Sequence, residues 1–200
     1  MANNLVRSAF DRQRSIQRCI FGDEQLGQMD AGLDTGDMLL KLSCPIDPSD
    51  TAQTLHDKLA VLGGQAIVEA LNKLEQGSLQ AVTQDDAQAT YAAKLTKAEA
   101  QIDWSRDAVE INRMVRAYNP FPVAVSAFNA VPVKVWQASL CNAQGRPGTV
   151  LTVEKNGIVV ACGKDALRLE TLQRPGAKAL PAAQFIQGFT IRPGDRFTAA

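Results

Sequence analysis

The chain has 200 residues, 46% of them hydrophobic and 21% charged, with equal numbers of basic and acidic side chains. That length allows one domain or two small ones, and that apolar fraction excludes wholesale disorder. No run approaches the ~20 consecutive apolar residues of a membrane-spanning helix, and the opening MANNLVRSAFDRQRSIQRC lacks the apolar centre of a secretory signal.

The balanced total conceals a division. Residues 1–100 carry 9 Lys+Arg against 14 Asp+Glu, a net −5, and residues 101–200 carry 12 against 7, a net +5. Within the first half, residues 1–18 are +3 and residues 19–100 are −8. Charges sorted this way point to two modules with different partners. A moderate surplus on the second supports weak, salt-sensitive contact with a polyanion, or simply a solvated basic surface. Cys19, Cys44, Cys141 and Cys162 form no CxxC pair. This argues against a zinc ribbon or a thioredoxin-type site and for free thiols in the cytoplasm.

Residues 1–25 show no clear period. LGQMDAGLDTGD (26–37) concentrates Gly and Asp and reads as a loop. MLLKLSCPI (38–46) reads as a strand, nearly continuous in apolar residues, as in a sheet covered on both faces. Asp50 with Gln53 suits a capping box for the helix that follows. There Leu55, Leu59, Leu62, Ala66, Ala70 and Leu74 make one apolar stripe, interrupted by Gly63-Gly64 and stopped at Gly77. Strand then helix is the repeating half of an α/β sheet.

Residues 78–103 are polar and read as a linker with short helical pieces, one of them opened by Thr96 and Glu99. Ser105 suits the cap of a second helix that turns Ala108, Ile111, Val115 and Tyr118 to one side. Asn119-Pro120-Phe121-Pro122 ends it. The period then becomes two. VAVSAFN (123–129), VPVKVWQASL (131–140), GTVLTVE (148–154), GIVVAC (157–162) and ALRLETLQ (166–173) read as short strands, with a tight hairpin signalled by Asn156-Gly157. Five short, evenly spaced strands suggest a small barrel of the oligonucleotide-binding (OB) type. A short helix from Pro181 through Phe185 and a last extended edge, FTIRPGDRF, complete the chain.

Motifs for chemistry are few. His56 is the single histidine, beside the Leu55–Leu59 stripe, with no cluster that would make it a metal ligand. Neither GxGxxG nor GxxxxGK[ST] occurs, which excludes the common dinucleotide and P-loop sites. Asp30, Asp34 and Asp37 fall within eight residues next to an apolar strand. They can perturb one another into a proton shuttle, or they can simply shape the turns.

Longer motifs carry a resemblance. Gln28-Met29-Asp30-Ala31-Gly32-Leu33-Asp34-Thr35-Gly36-Asp37-Met38-Leu39 is followed by Lys41-Leu42-Ser43-Cys44-Pro45-Ile46, Asp57-Lys58-Leu59-Ala60, Tyr91-Ala92-Ala93-Lys94-Leu95-Thr96-Lys97 and Ile102-Asp103-Trp104-Ser105. Then come Arg116-Ala117-Tyr118-Asn119-Pro120-Phe121-Pro122, Pro132-Val133-Lys134-Val135-Trp136, Pro147-Gly148-Thr149-Val150, Leu172-Gln173-Arg174-Pro175-Gly176-Ala177-Lys178 and Pro193-Gly194-Asp195-Arg196-Phe197. In this order they closely resemble the methionyl-tRNA formyltransferase family, from about residue 16 to the end.

The resemblance implies transfer of a formyl group from 10-formyltetrahydrofolate to the amino group of methionyl initiator tRNA, in translation initiation. The family's catalytic set is an Asn, a His and an Asp. The Asp falls in the Leu-Asp-Thr-Gly pattern, at Asp34, where it would support proton transfer as the amine attacks. The family's Asn-x-His segment and its Leu-Pro-x-x-Arg-Gly loop have no counterpart in residues 1–15, and the strand before Gln28 is about four residues short. The expected fold is therefore an α/β remnant, the C-terminal part of a Rossmann-like formyltransferase domain, followed by a small OB-like β-barrel domain. Residues 1–77 are the partial catalytic domain, 78–103 a linker and 104–200 the tRNA-binding domain. The folate pocket is expected to be largely missing, its residues unassigned, the first 77 residues poorly packed, and formylation by this chain alone negligible. Arg113, Arg116, Lys134 and Arg146 are the candidate tRNA contacts. No metal, no membrane and a monomer are expected. The alternatives are a non-catalytic RNA-binding barrel, or a formyltransferase for a nucleotide-sugar amine.

Overall fold

A computed structural model of the chain describes residues 21–29, 35–85, 87, 89 and 95–199. The chain divides into two units, residues 1–93 and 94–200. The division falls inside the stretch whose polarity reads as a linker.

In the first unit β1 (Phe21–Gly27) and β2 (Met38–Pro45) pair antiparallel, from Phe21 opposite Pro45 to Leu26 opposite Leu40. Sequence alone expects β2 to be covered on both faces. From Leu40 onward its burial alternates instead, with Lys41 and Ser43 exposed. One face meets helix α1 (Ala52–Glu75), which buries Leu55, Leu59, Ala66 and Ala70. Leu26, Ala66 and Ala70 form a small buried cluster with Leu40, Leu42, Ile67 and Leu79 against it.

The α1 cap lies one residue beyond the expected Asp50. Thr51 accepts from the Thr54 N–H (3.3 Å), and the Thr54 hydroxyl accepts from the Thr51 N–H (2.9 Å). Asp50 is buried and does different work. It accepts from the Thr54 hydroxyl (2.9 Å), the Asp47 N–H (2.7 Å) and the Lys58 ammonium (2.7 Å). Burial pushes this carboxyl up, but Lys58, the Asp47 N–H and Thr54 outweigh it and hold it below the usual carboxylate range. Gly63 and Gly64 leave the helix unbroken, and Gly77 ends it at φ +65°.

The second unit opens with a single 3-10 turn, Ala98–Ala100, whose Glu99 carboxylate accepts from the Thr96 N–H (3.0 Å) and hydroxyl (2.7 Å). Helix α2 (Ala108–Ala117) follows. Its cap is Asp107, which accepts from the Val109 N–H at 2.8 Å. Ser105, the expected cap, instead donates its hydroxyl to Asp103 at 2.6 Å. Ala108, Ile111, Val115 and Tyr118 are all buried, as their spacing predicts.

The period-two runs become β3 (Ala124–Phe128), β4 (Val131–Cys141), β5 (Val150–Glu154), β6 (Gly157–Ala161) and β7 (Ala166–Gln173). β8 (Leu180–Pro181), the short helix α3 (Ala182–Phe185) and β9 (Phe197–Thr198) follow. The sheet runs β5-β6-β7-β4-β3-β9 with β8 beside β7, and each pair is antiparallel. It curls strongly. The Val150 N–H donates to Asp195 O, and the Phe197 N–H to Gly148 O, each at 2.8 Å, so the segment entering β9 touches the β5 edge as well as β3. Gly163 between β6 and β7 must be glycine, because a Cβ there would stand 1.8 Å from Ser105 O. Inside the curl, Phe128 packs on Phe197 and Phe189 with ring centroids 5.2 and 5.4 Å apart. Ile158, Leu167, Leu169 and Leu172 fill the rest of a core far larger than the cluster under α1.

Candidate functional site

The acidic loop is built on the β1–β2 hairpin. Asp30 and Asp34 lie outside the described residues; the two ends of the loop are held at Gln28 and at Gly36–Asp37. The Gln28 N–H donates to Asp37 O at 2.8 Å. Gly36 is buried against the same strand end, and a Cβ there would stand 1.8 Å from Gln28 O. Only glycine permits that approach. On the opposite edge of β2, Met38 and Val82 exchange two backbone hydrogen bonds of 2.8 Å each. Gln84 then donates its side-chain amide to Gly36 O at 2.6 Å. Val82 and Gln84 escape sequence reasoning, because neither lies in a periodic run. A polar Gln in a polar stretch carries no signal of its own.

The four basic candidates separate into two places. Arg113 and Arg116 sit three apart on α2. The Arg116 Nε donates to Asn112 Oδ1 at 3.2 Å, and Asn112 donates to Ala138 O at 2.7 Å, tying the helix to β4. Lys134 is exposed on β4, opposite Gln173 of β7. Arg146 is exposed in the loop before β5, three strands away across the sheet. Arg113 and Arg116 thus share α2, which is tied to β4, Lys134 lies on β4 between the buried Val133 and Val135, and Arg146 lies at the β5 edge.

Sequence reasoning misses the frame around Lys134. Trp136 donates its indole N–H to Gln173 Oε1 (2.8 Å), Asn119 donates to Trp136 O (2.9 Å), and Gln173 donates to Ala177 O (2.7 Å). Arg174 donates to Gly188 O at 3.0 Å, with its guanidinium 5.5 Å from the Phe189 ring centre. These bonds join β4 and β7 to the residue after the α2 cap and to the residues after β7. Near the β5 edge, a groove of about 400 Å³ is lined by Gln101–Ser105, Pro147 and Arg196–Ala199.

Other chemistries find little support. His56 is exposed on α1, its Nδ1 3.5 Å from Asp57. Burial pushes the Cys162 thiol up to about 12, so it stays protonated and inert at neutral pH. Among the described residues, no group of three His, Cys, Asp or Glu stands where it could hold a metal ion. No described helix is long and apolar enough to cross a membrane.

Comparison with known proteins extends this picture. The family model "Formyl transferase" matches residues 17–71, and "Formyl transferase, C-terminal domain" matches residues 94–190. The methionyl-tRNA formyltransferase of Aromatoleum aromaticum is 52% identical over 198 residues, covering 97% of this chain and 62% of that protein. The enzyme of the same name from Nitrosomonas eutropha is 49% identical over 204 residues, covering 97% of this chain and 65% of that protein. The chain therefore spans a little under two thirds of the length of these curated relatives. Among solved structures, HypX from Aquifex aeolicus with tetrahydrofolic acid superposes with a TM-score of 0.70 at 18% identity, covering 91% of this chain and 33% of that one. Methionyl-tRNA formyltransferase from Clostridium thermocellum gives 0.51 at 18% identity, over 64% of this chain and 56% of that one. At such identities the two structures speak for the fold alone.

Proposed function

The chain belongs to the formyl transferase family, and on that premise we propose that it takes part in formyl transfer from 10-formyltetrahydrofolate to methionyl initiator tRNA. The observation that carries this reading is identity of about half the residues across 97% of the chain with proteins named for that reaction. In the step itself the methionyl amine attacks the formyl carbon. A C–N bond forms, the bond from the formyl carbon to the folate nitrogen breaks, and the amine gives up a proton. Asp34 takes that proton and passes it to the leaving folate nitrogen, which departs as N–H. The second unit, as an OB-like barrel, holds the tRNA backbone through Arg113, Arg116, Lys134 and Arg146. Its net positive charge makes that contact weaken steeply with salt. The chain acts as a monomer in the cytoplasm, without a metal.

The test is formyl transfer by the purified chain at high concentration, with Asp34→Asn as control and tRNA retardation followed at low salt. Transfer that Asp34→Asn abolishes carries the proposal and overturns the expectation that the chain alone is inactive. Retarded tRNA without transfer replaces it with a second reading, an RNA-binding module with no chemistry. One observation favours that reading: His56, the sole histidine in the sequence, is exposed on α1 beside Asp57.

A further inference from the structure

We infer that residues 82–84 are a strap that sets the position of the acidic loop, and that Gln84 is its positioning residue. In β2, the Met38 N–H and C=O both point away from β1, and both are taken by Val82 at 2.8 Å. Two residues back, Gly36 directs its carbonyl toward the same edge. There the Gln84 side-chain amide, at 2.6 Å, takes the place that a backbone N–H would hold in a continuing ladder. Residues 82–84 therefore act as a third strand laid along the start of β2, in the register Met38 with Val82 and Gly36 with Gln84. The opposite side of the same stem is fixed by the Gln28 N–H on Asp37 O and by the close approach of Gly36 to Gln28.

Residues 36–38 are thus held from both edges, and Asp34 stands two residues before the first of them in the chain. Val82 is 54% exposed, so the strap works through hydrogen bonds and not through apolar burial. The bonds on Gly36, Asp37 and Met38 fix the stem that Asp34 precedes in the chain, and placement of reacting groups is what proton transfer depends on. The assignment of Gln84 to the reaction rests on the reading of Asp34 given above; the strap itself does not.

Three variants separate the hydrogen bond from packing. Gln84→Ala removes the side chain, Gln84→Glu keeps its size but offers no donor to Gly36 O, and Gln84→Lys restores a donor. Amide hydrogen exchange is expected to quicken at least tenfold at Met38 and Val82 in the first two variants and to return toward the parent in the third. The α1 amides are expected to stay within twofold throughout. Unchanged exchange in Gln84→Glu, or equal loosening of α1, overturns the strap. In the formyl-transfer assay, Gln84→Glu is expected to lower kcat at least tenfold with KM for 10-formyltetrahydrofolate within twofold, and Gln84→Lys to recover part of the loss. A kcat within twofold of the parent overturns the positioning role. A parent chain without transfer sinks the reading of Asp34, and the strap is then decided by exchange alone.

Discussion

Tyr118 ends α2 with its ring fully buried and its hydroxyl without a hydrogen-bond partner among the described residues. Burial also pushes its pKa up, so the group is neutral throughout the working range. A buried hydroxyl without a partner loses its water and receives nothing in exchange. Tyr118→Phe keeps the ring and removes the oxygen. It is expected to stabilise the second unit by about 1 kcal/mol, read as a higher urea midpoint; a lower midpoint would mean the hydroxyl has a partner. The spacing of Ala108, Ile111, Val115 and Tyr118 made the inward face legible in the sequence. Whether the phenol finds an acceptor depends on residues far away in the chain, and no local pattern encodes that. Asp50 teaches the same lesson. Its place beside a helix start was legible, but Lys58, reaching back to it from α1, was not.

At the scale of elements, hydrophobic period predicted β3 to β7 within a residue or two, because one face of each must turn inward, but it missed β8 and set the last edge too early, since β9 is only Phe197–Thr198. Turns were harder. Asn156-Gly157 drew attention as a hairpin signal, yet Glu154 pairs with Gly157, so Lys155-Asn156 form the turn and Gly157 is already strand. A left-handed turn lies between β3 and β4, at Asn129 (φ +49°) and Ala130 (φ +61°). Asn tolerates that region and Ala does not. Ala130→Gly relieves about 1 kcal/mol of left-handed strain, partly offset by a freer unfolded chain, for a net gain of about 0.5 kcal/mol. Denaturant titration of the single variant checks this, and a net loss would mean that Ala130 is not strained. The strap at Val82 and Gln84 was not legible at all. Its pairing uses backbone groups and one amide, neither of which leaves a mark in hydropathy.

The two units differ most in how they are held. The second rests on a broad apolar core, whereas α1 and its hairpin rest on a few small contacts and on the Asp47–Lys58–Asp50 cluster. Asp50 is held below its ordinary value of 3.8, so its contribution is complete above that value and is lost as the pH falls through the folded one. Protection of the α1 amides is therefore expected to fall with acid while the β4 amides still hold, and Asp50→Asn should remove that pH dependence. Simultaneous loss in both units would overturn the expectation.

The indole of Trp104 donates to the Ser126 hydroxyl at 2.9 Å, and that hydroxyl donates to Thr198 O at 2.7 Å, inside the core of the second unit. Trp136, the chain's other tryptophan, is in β4. All tryptophan emission therefore originates in residues 94–200. Light excited at the red edge of absorption follows the docking of the last strand and is blind to everything before it. The first unit, with its strap, can melt in optical silence, and a fluorescent probe placed on α1 would give it a voice.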